Sequence, residues 1–182
     1  MQWQLGNNLG ALPFTVVVAV GIVWLRDRAG LASDTTIGVF FSISMALGIV
    51  ERCLSLSTQY AGMRVQFGKP IGEFQLVQLK LAKMEVARMN IQNLLFKQIE
   101  LAGWGKGLSL AEASACKLYS AQAAMEVCLE AVQLFGGNGY MAEYRVEQLC
   151  RDCKVLQIYG GTDEIQVSQI ARALLHHHGQ QH

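Results

Sequence analysis

No histidine occurs before residue 176 in this chain of 182 residues; all four stand at His176, His177, His178 and His182. The body of the chain therefore cannot run Ser-His-Asp or Cys-His catalysis, and it offers few zinc ligands. We assign no functional metal to the terminal histidine run. Charge is also scarce: 16% of residues are Asp, Glu, Lys or Arg, and they sum to a net charge of +1. No basic patch stands out, which argues against nucleic acid as a partner. So little charge fits a chain that buries surface against another subunit. Proline is limited to Pro13 and Pro70, and that scarcity suits long helices, because interior proline breaks them. The five cysteines, Cys53, Cys116, Cys128, Cys150 and Cys153, are odd in number and scattered. They do not form a disulfide framework and fit a reducing cytoplasm. Cys150-x-x-Cys153 has no second such pair, so it reads as two small residues on one helix face.

Apolar residues are plentiful. At 52% hydrophobic, the chain has the composition of a globular protein and not of a disordered one. Residues 1–25 carry no charge at all, and residues 9–25 form an apolar run that ends at Arg26, Asp27 and Arg28. A membrane span needs about 20 apolar residues, and this run is a little short and contains Pro13. A secretory signal needs a positive start, which Met1-Gln2-Trp3-Gln4 lacks. The reading we carry forward is a strand or helix that packs on the rest of the protein, with membrane contact through residues 9–25 and a signal segment as alternatives.

From residue 31 the pattern is helical. Ser33 to Thr36 offer N-cap residues before an apolar stretch, which predicts a helix over 36–62. Residues 63–72 carry Gly68, Pro70 and Gly72 and read as a loop. A helix over 73–102 follows, with Val77, Leu81, Met84, Ile91 and Leu95 on one stripe. Gly103, Gly105 and Gly107 break it. Ser109 and Glu112 form an S-x-x-E capping box for a third helix, which stops at the Gly136-Gly137-Asn138-Gly139 run. A shorter helix over 145–157, a Gly160-Gly161 turn and a last helix capped by Thr162 complete the chain. The expected fold is all-α, an antiparallel helical bundle. It spans residues 31–176, after an apolar segment at 1–30 and before a His-rich tail at 177–182.

Three links between helices combine glycine with polar or cationic groups. They are Arg64-Val65-Gln66-Phe67-Gly68-Lys69 with Phe74-Gln75, then Gln133 through Tyr140, then Tyr159 through Gln166. Arginine can pair with a phosphate, glycines let backbone N–H groups approach a pyrophosphate, and a helix start at Thr162 offers free donors. Each link alone also reads as an ordinary glycine turn after a helix. Together, R-x-x-F-G-K, Q-x-x-G-G-x-G-Y and R-D-x-K-x-x-x-I-Y-x-G-T stand in the order and near the spacing found in acyl-CoA dehydrogenases. The last of these is Arg151-Asp152-Cys153-Lys154 through Tyr159-Gly160-Gly161-Thr162. Residues 37–175 thus resemble the C-terminal helical domain of that family; its N-terminal helical and middle β-domains have no counterpart in this chain.

The resemblance implies an FAD site. Arg64 and Phe67 would contact FAD from one subunit, with Gln75 nearby. Gln133, Phe135, Gly136 and Gly137 would hold the ADP part of a flavin bound mainly by a neighbouring subunit, and Thr162 and Glu164 would contact the nucleotide from the third loop. The implied partners are further copies in a homodimer or tetramer, a complete acyl-CoA dehydrogenase subunit, and an acyl-CoA substrate. FAD binding by this chain alone is expected to be weak or absent, because no β-domain covers the flavin ring. Two departures concern the chemistry. Removing the α-proton of an acyl thioester requires a carboxylate base. The family supplies it after the tyrosine of the third motif, here Gly160, or in one branch from the first helix of this domain, here Gly38. Asp34, one turn from Gly38, is a possible substitute. Val39 stands where a substrate-side arginine often follows. Gln148 replaces a basic residue, a change the local fold should survive.

Overall fold

The computed structural model describes residues 34–179 except Gly105. The expectations for residues 1–30, the membrane alternative among them, lie outside the described residues. Five helices follow in order: α1 (Asp34–Met63), α2 (Gln75–Gly103), α3 (Leu110–Phe135), α4 (Val146–Lys154) and α5 (Asp163–Gly179). The all-α reading holds. Helix α3 is central and packs against the other four. Its buried face is mostly small: Ala113, Ser114, Ser120, Ala121, Ala124 and Ala131. Alanine favours the helix and lets neighbours come close. Pairs such as Cys53–Cys128 and Tyr60–Phe135 show that α1 runs parallel to α3. The contacts Lys80–Glu130 and Asn90–Tyr119 show that α2 runs against it. Ser114–Gln169 and Gln122–Asp163 show the same for α5.

The stripe expected on α2 is present. Met84 and Ile91 are buried, and Val77, Leu81 and Leu95 pack beside them. The capping box is also formed. Glu112 N–H donates to Ser109 Oγ at 3.2 Å, and Ser109 N–H donates to Glu112 Oε2 at 2.9 Å. These contacts from Ser109 hold the Glu112 carboxyl below its ordinary pKa. The segment Gly38–Met63 of α1 is long and apolar enough to cross a membrane, with a mean hydropathy of 1.7. Here it is a core helix: Ile43, Ala46, Val50 and Cys53 are buried, while Glu51 and Arg52 lie exposed beside them.

Two expectations need correction. Residues 63–72 are not a plain loop. Val65–Gln66 and Lys69–Pro70 form an antiparallel hairpin in which Gln66 pairs with Lys69 and Val65 with Pro70. The two-residue turn, Phe67 (φ +52°) and Gly68 (φ +81°), has the positive dihedrals of a type I′ turn. Strands of two residues leave almost no alternation to read, and the Pro70 that suggested a loop is tolerated at the end of such a short edge. The helix expected over 145–157 ends at Lys154 and tightens into a 3-10 turn at Val155–Gln157, a common way for a last turn to close. Gln148 is exposed on an intact α4, so the local fold does survive that change.

Candidate functional site

At one end of the bundle the hairpin meets the C-terminus of α3. Arg64 follows α1 directly and is exposed. Phe67 sits at the hairpin tip, 94% exposed and in the left-handed region. A bulky residue rarely adopts that region, and strain of this kind gathers at binding sites. The Phe67 ring stands edge-on to Phe74 with centroids 6.2 Å apart, and the Lys69 ammonium lies 4.6 Å from the Phe74 ring centre. An open cleft of about 760 Å³ runs along these residues, lined among others by Gln66, Phe67, Phe74, Gln75 and Leu134. Leu134 belongs to the second motif, so the fold brings the first two motifs together. Sequence spacing alone does not reveal this, since 57 residues, most of them in α2 and α3, separate Gln75 from Gln133.

Within the second motif, Gln133, Gly136 and Gly137 are exposed, and a Cβ at either glycine would meet nothing within 4 Å. Phe135 differs. Its ring is 6% exposed and stacks on Tyr60 with centroids 4.0 Å apart and planes 16° apart. Tyr144 stands edge-on to both rings. The Asn138 amide donates to the Tyr60 hydroxyl at 2.8 Å, and Gly139 is buried behind the turn. Phe135 therefore supports this loop from beneath, and what it offers outward is backbone.

The third motif lies farther toward the start of α3, beside Lys117 and Gln122. Thr162 and Glu164 open α5, and the hydrogen bond from the Thr162 side chain, first among its causes, holds the Glu164 carboxyl below its ordinary pKa. Glu164 is exposed; a carboxylate there suits a ligand hydroxyl better than a phosphate. Gly160 (φ +63°) and Gly38 each have open space where a Cβ would stand. The Phe41 ring packs edge-on to Tyr159 at 6.5 Å, which joins the start of α1 to this loop. Burial pushes the Tyr159 hydroxyl above its ordinary pKa, with Ser42 pulling it back. Val39 is buried in the core.

One residue here escapes the sequence reading, and another, Gln166, stands in the third motif without an assigned role. Lys117 is buried and donates to the Gly161 carbonyl at 2.7 Å. Gln166, also buried, donates to the carbonyls of Gly160 and Gly161, each at 3.1 Å. The one signal in the sequence is a lone lysine on a helix face that otherwise carries Ala113, Ala121 and Ala124. From Lys117 to Phe135, α3 rises about 27 Å at roughly 1.5 Å per residue. The chain thus carries two separate half-sites, one at the C-terminal end of its central helix and one beside Lys117 and Gln122, nearer its middle.

The cysteines take no part in either half. All five are free thiols. Cys153 is buried and turns toward Cys128, whose sulfur lies 3.7 Å from Cys53, while Cys150 is only partly buried. Hydrogen bonding to Cys153 and Cys53, with burial, holds the Cys128 thiol protonated. Among the described residues no group of three or more His, Cys, Asp or Glu could hold a metal ion.

Comparison with known proteins agrees with this geometry. The family model for the acyl-CoA dehydrogenase C-terminal domain matches residues 40–175. A second model, for the ABC 3 transport family, matches residues 3–72; the part of that match within the described residues is α1 and the hairpin of the bundle. An acyl-CoA dehydrogenase of Bacillus subtilis is 41% identical over 143 residues, covering 79% of this chain and 38% of its own length. A short-chain-specific acyl-CoA dehydrogenase of Megasphaera elsdenii is 42% identical over 132 residues, covering 72% of this chain and 34% of its own length. The butyryl-CoA dehydrogenase structure from Megasphaera elsdenii superposes with a TM-score of 0.73 at 40% identity, over 78% of this chain and 37% of that one. The chain therefore spans little more than a third of the relatives it matches. With three ordered motifs on a matching helical bundle, this chain belongs to the acyl-CoA dehydrogenase family and corresponds to its C-terminal domain.

Proposed function

We propose that this chain supplies the helical part of an acyl-CoA dehydrogenase-type flavin site that further chains complete, and that it brings no base of its own. Members of the family are FAD-dependent, and the residues at both half-sites fit that group. The exposed Phe67 ring beside a cleft of about 760 Å³ suits a flat ring system. Arg64 is free to pair with a phosphate. Gln75 and Gln133 present amides, and Gly136 and Gly137 present backbone without a Cβ. Phe135 acts by holding that loop. At the third motif, Thr162 and Glu164 suit the hydroxyl-bearing part of a nucleotide. FAD, when bound, supplies the hydride acceptor for α,β-dehydrogenation of an acyl-CoA thioester.

The observation that carries the reading is the separation of the half-sites along α3, about 20 Å from Gln122 and about 27 Å from Lys117 to Phe135. The first two motifs share one end, so in an assembly they would serve one flavin and the third motif another. That requires a homodimer or tetramer, or a complete family subunit as partner. One face of α2 supports self-association: Leu79, Val86, Met89 and Phe96 are exposed on the side opposite buried Met84 and Ile91. Beside them a groove holds Lys83 on its α2 wall and Glu126 on its α3 wall, the mixed charge a self-complementary contact uses. The five free cysteines support a cytoplasmic setting. The bundle of residues 31–176 carries this role, apart from the segment at 1–30 and the tail at 177–182.

The glycines at 38 and 160 support the absence of the base and favour a second role, a non-catalytic helical partner of a complete subunit. Gly160→Glu tests this. The side chain has open space, and the left-handed backbone costs about 1 kcal/mol for a non-glycine residue. With FAD and an acyl-CoA present, the wild type should leave the flavin oxidised, and Gly160→Glu should show anaerobic bleaching by the substrate. Bleaching in the wild type would refute the missing base; none in Gly160→Glu with flavin bound would show that more than the base is lacking.

A further inference from the structure

Among the described residues, Lys117 is the only charged side chain buried in the core, at 1% exposed. Placing an ammonium there is costly unless it is paired. A methionine would fill the same space on α3 without that cost. What the lysine adds is a donor, 2.7 Å from the Gly161 carbonyl, and a positive charge 3.9 Å from Asp163 Oδ1. Gln166 donates to the same carbonyl and to that of Gly160. Gln122 and Gln157 hold the other Asp163 oxygen at 3.3 and 3.2 Å. No described peptide bond is cis. In a trans peptide the N–H points opposite its carbonyl, so fixing these two carbonyls inward turns the N–H groups of Gly161 and Thr162 outward. Neither Lys117 nor Gln122 lies in the third motif, yet together with Gln157 and Gln166 they set its shape.

We propose that Lys117 is a positioning residue for the third motif: by gripping the Gly161 carbonyl from beneath, it fixes the Gly160–Gly161 turn and thereby where residue 160 and Thr162 stand toward a bound flavin. This rests on the flavin reading above. Burial lowers the Lys117 pKa, and Asp163 and then Glu164 oppose the shift, as expected for a cation held in place by its partners.

The test is NMR relaxation on the full chain, with Lys117→Met and Lys117→Gln beside the wild type, followed by FAD titration of all three. In the wild type, the amides of Gly161 and Thr162 should show the order parameters of rigid backbone, about 0.85. In Lys117→Met they should fall below about 0.6, while Gly68 and Gly139 at the far end stay unchanged. A space-filling role would lower the melting temperature and leave the turn rigid, and that result overturns the proposal. If Lys117→Met does not fold, Lys117→Gln, whose shorter side chain falls short of the Gly161 carbonyl, must show the same local loosening; a rigid turn there also overturns it. FAD binding that is equal in wild type and loosened variant would end the positioning role toward the flavin. A loosened turn with no FAD binding in any variant, even at concentrations where copies of the chain assemble, would leave the grip standing and sink the flavin reading instead.

Discussion

Gly139→Ala is expected to destabilise the protein by about 3 kcal/mol, while Gly137→Ala, two residues away, should change stability by less than about 0.5 kcal/mol. A Cβ at Gly139 would stand 2.3 Å from the Val132 carbonyl oxygen and 2.9 Å from the Phe135 Cβ. The first of these is backbone in the last turns of α3, so relief requires the helix end or the turn to move. Moving either breaks the Asn138 contact with Tyr60 and the stack of Tyr60 on Phe135. At Gly137 a Cβ meets nothing within 4 Å. Urea unfolding followed by circular dichroism checks the pair. The midpoint should drop sharply for Gly139→Ala with an unchanged slope, and barely move for Gly137→Ala. Equal midpoints would mean that this turn is not locked as described.

Phe135→Ala should cost about 4 kcal/mol, in the range for deleting a buried aromatic side chain. The ring packs between Tyr60 and Tyr144, so its removal leaves a cavity that rigid helices cannot close. Part of the loss is specific to the stack. A double-mutant cycle with Tyr60→Ala should give a coupling of about 1 kcal/mol. If Phe135→Ala costs less than about 1 kcal/mol, the residue is not the support assigned to it, and a direct ligand contact for its ring returns as the better account.

Much of the fold was legible in the sequence because its helices are long and punctuated. Apolar spacing from Val77 to Leu95 marked the buried side of α2, and Ser109 with Glu112 marked the start of α3. The hairpin at Val65–Pro70 was not legible, since four paired residues leave no period to read. The candidate site was legible as three motifs and not as an arrangement. That Gln75 and Leu134 line one cleft follows from α1 and α3 running parallel, and that Thr162 lies beside Gln122 follows from α5 running against α3; no local pattern encodes either. Phe135 looked like a ligand contact because it sits within a motif; only its burial shows that it faces inward. Lys117 was missed because it lies 44 residues from the carbonyl it serves, on a helix whose other features all concern packing.

These observations separate ancestry from present activity. The family follows from motifs and bundle together; the absence of the carboxylate that the chemistry requires is our proposal, and it rests on the glycines at 38 and 160. The surrounding machinery remains: a strained aromatic at a hairpin tip, glycines open to solvent, and a turn gripped from the core. On that proposal, the chain is suited to holding a nucleotide with partners more than to oxidising a substrate alone.

Light scattering with simultaneous visible absorbance, on the purified chain mixed with FAD and resolved by size, tests the split site most directly. The account predicts that the flavin band travels only with a species of at least twice the 20.0 kDa chain mass, and that a monomer peak carries none. A flavin-bearing peak at the mass of one chain would contradict it.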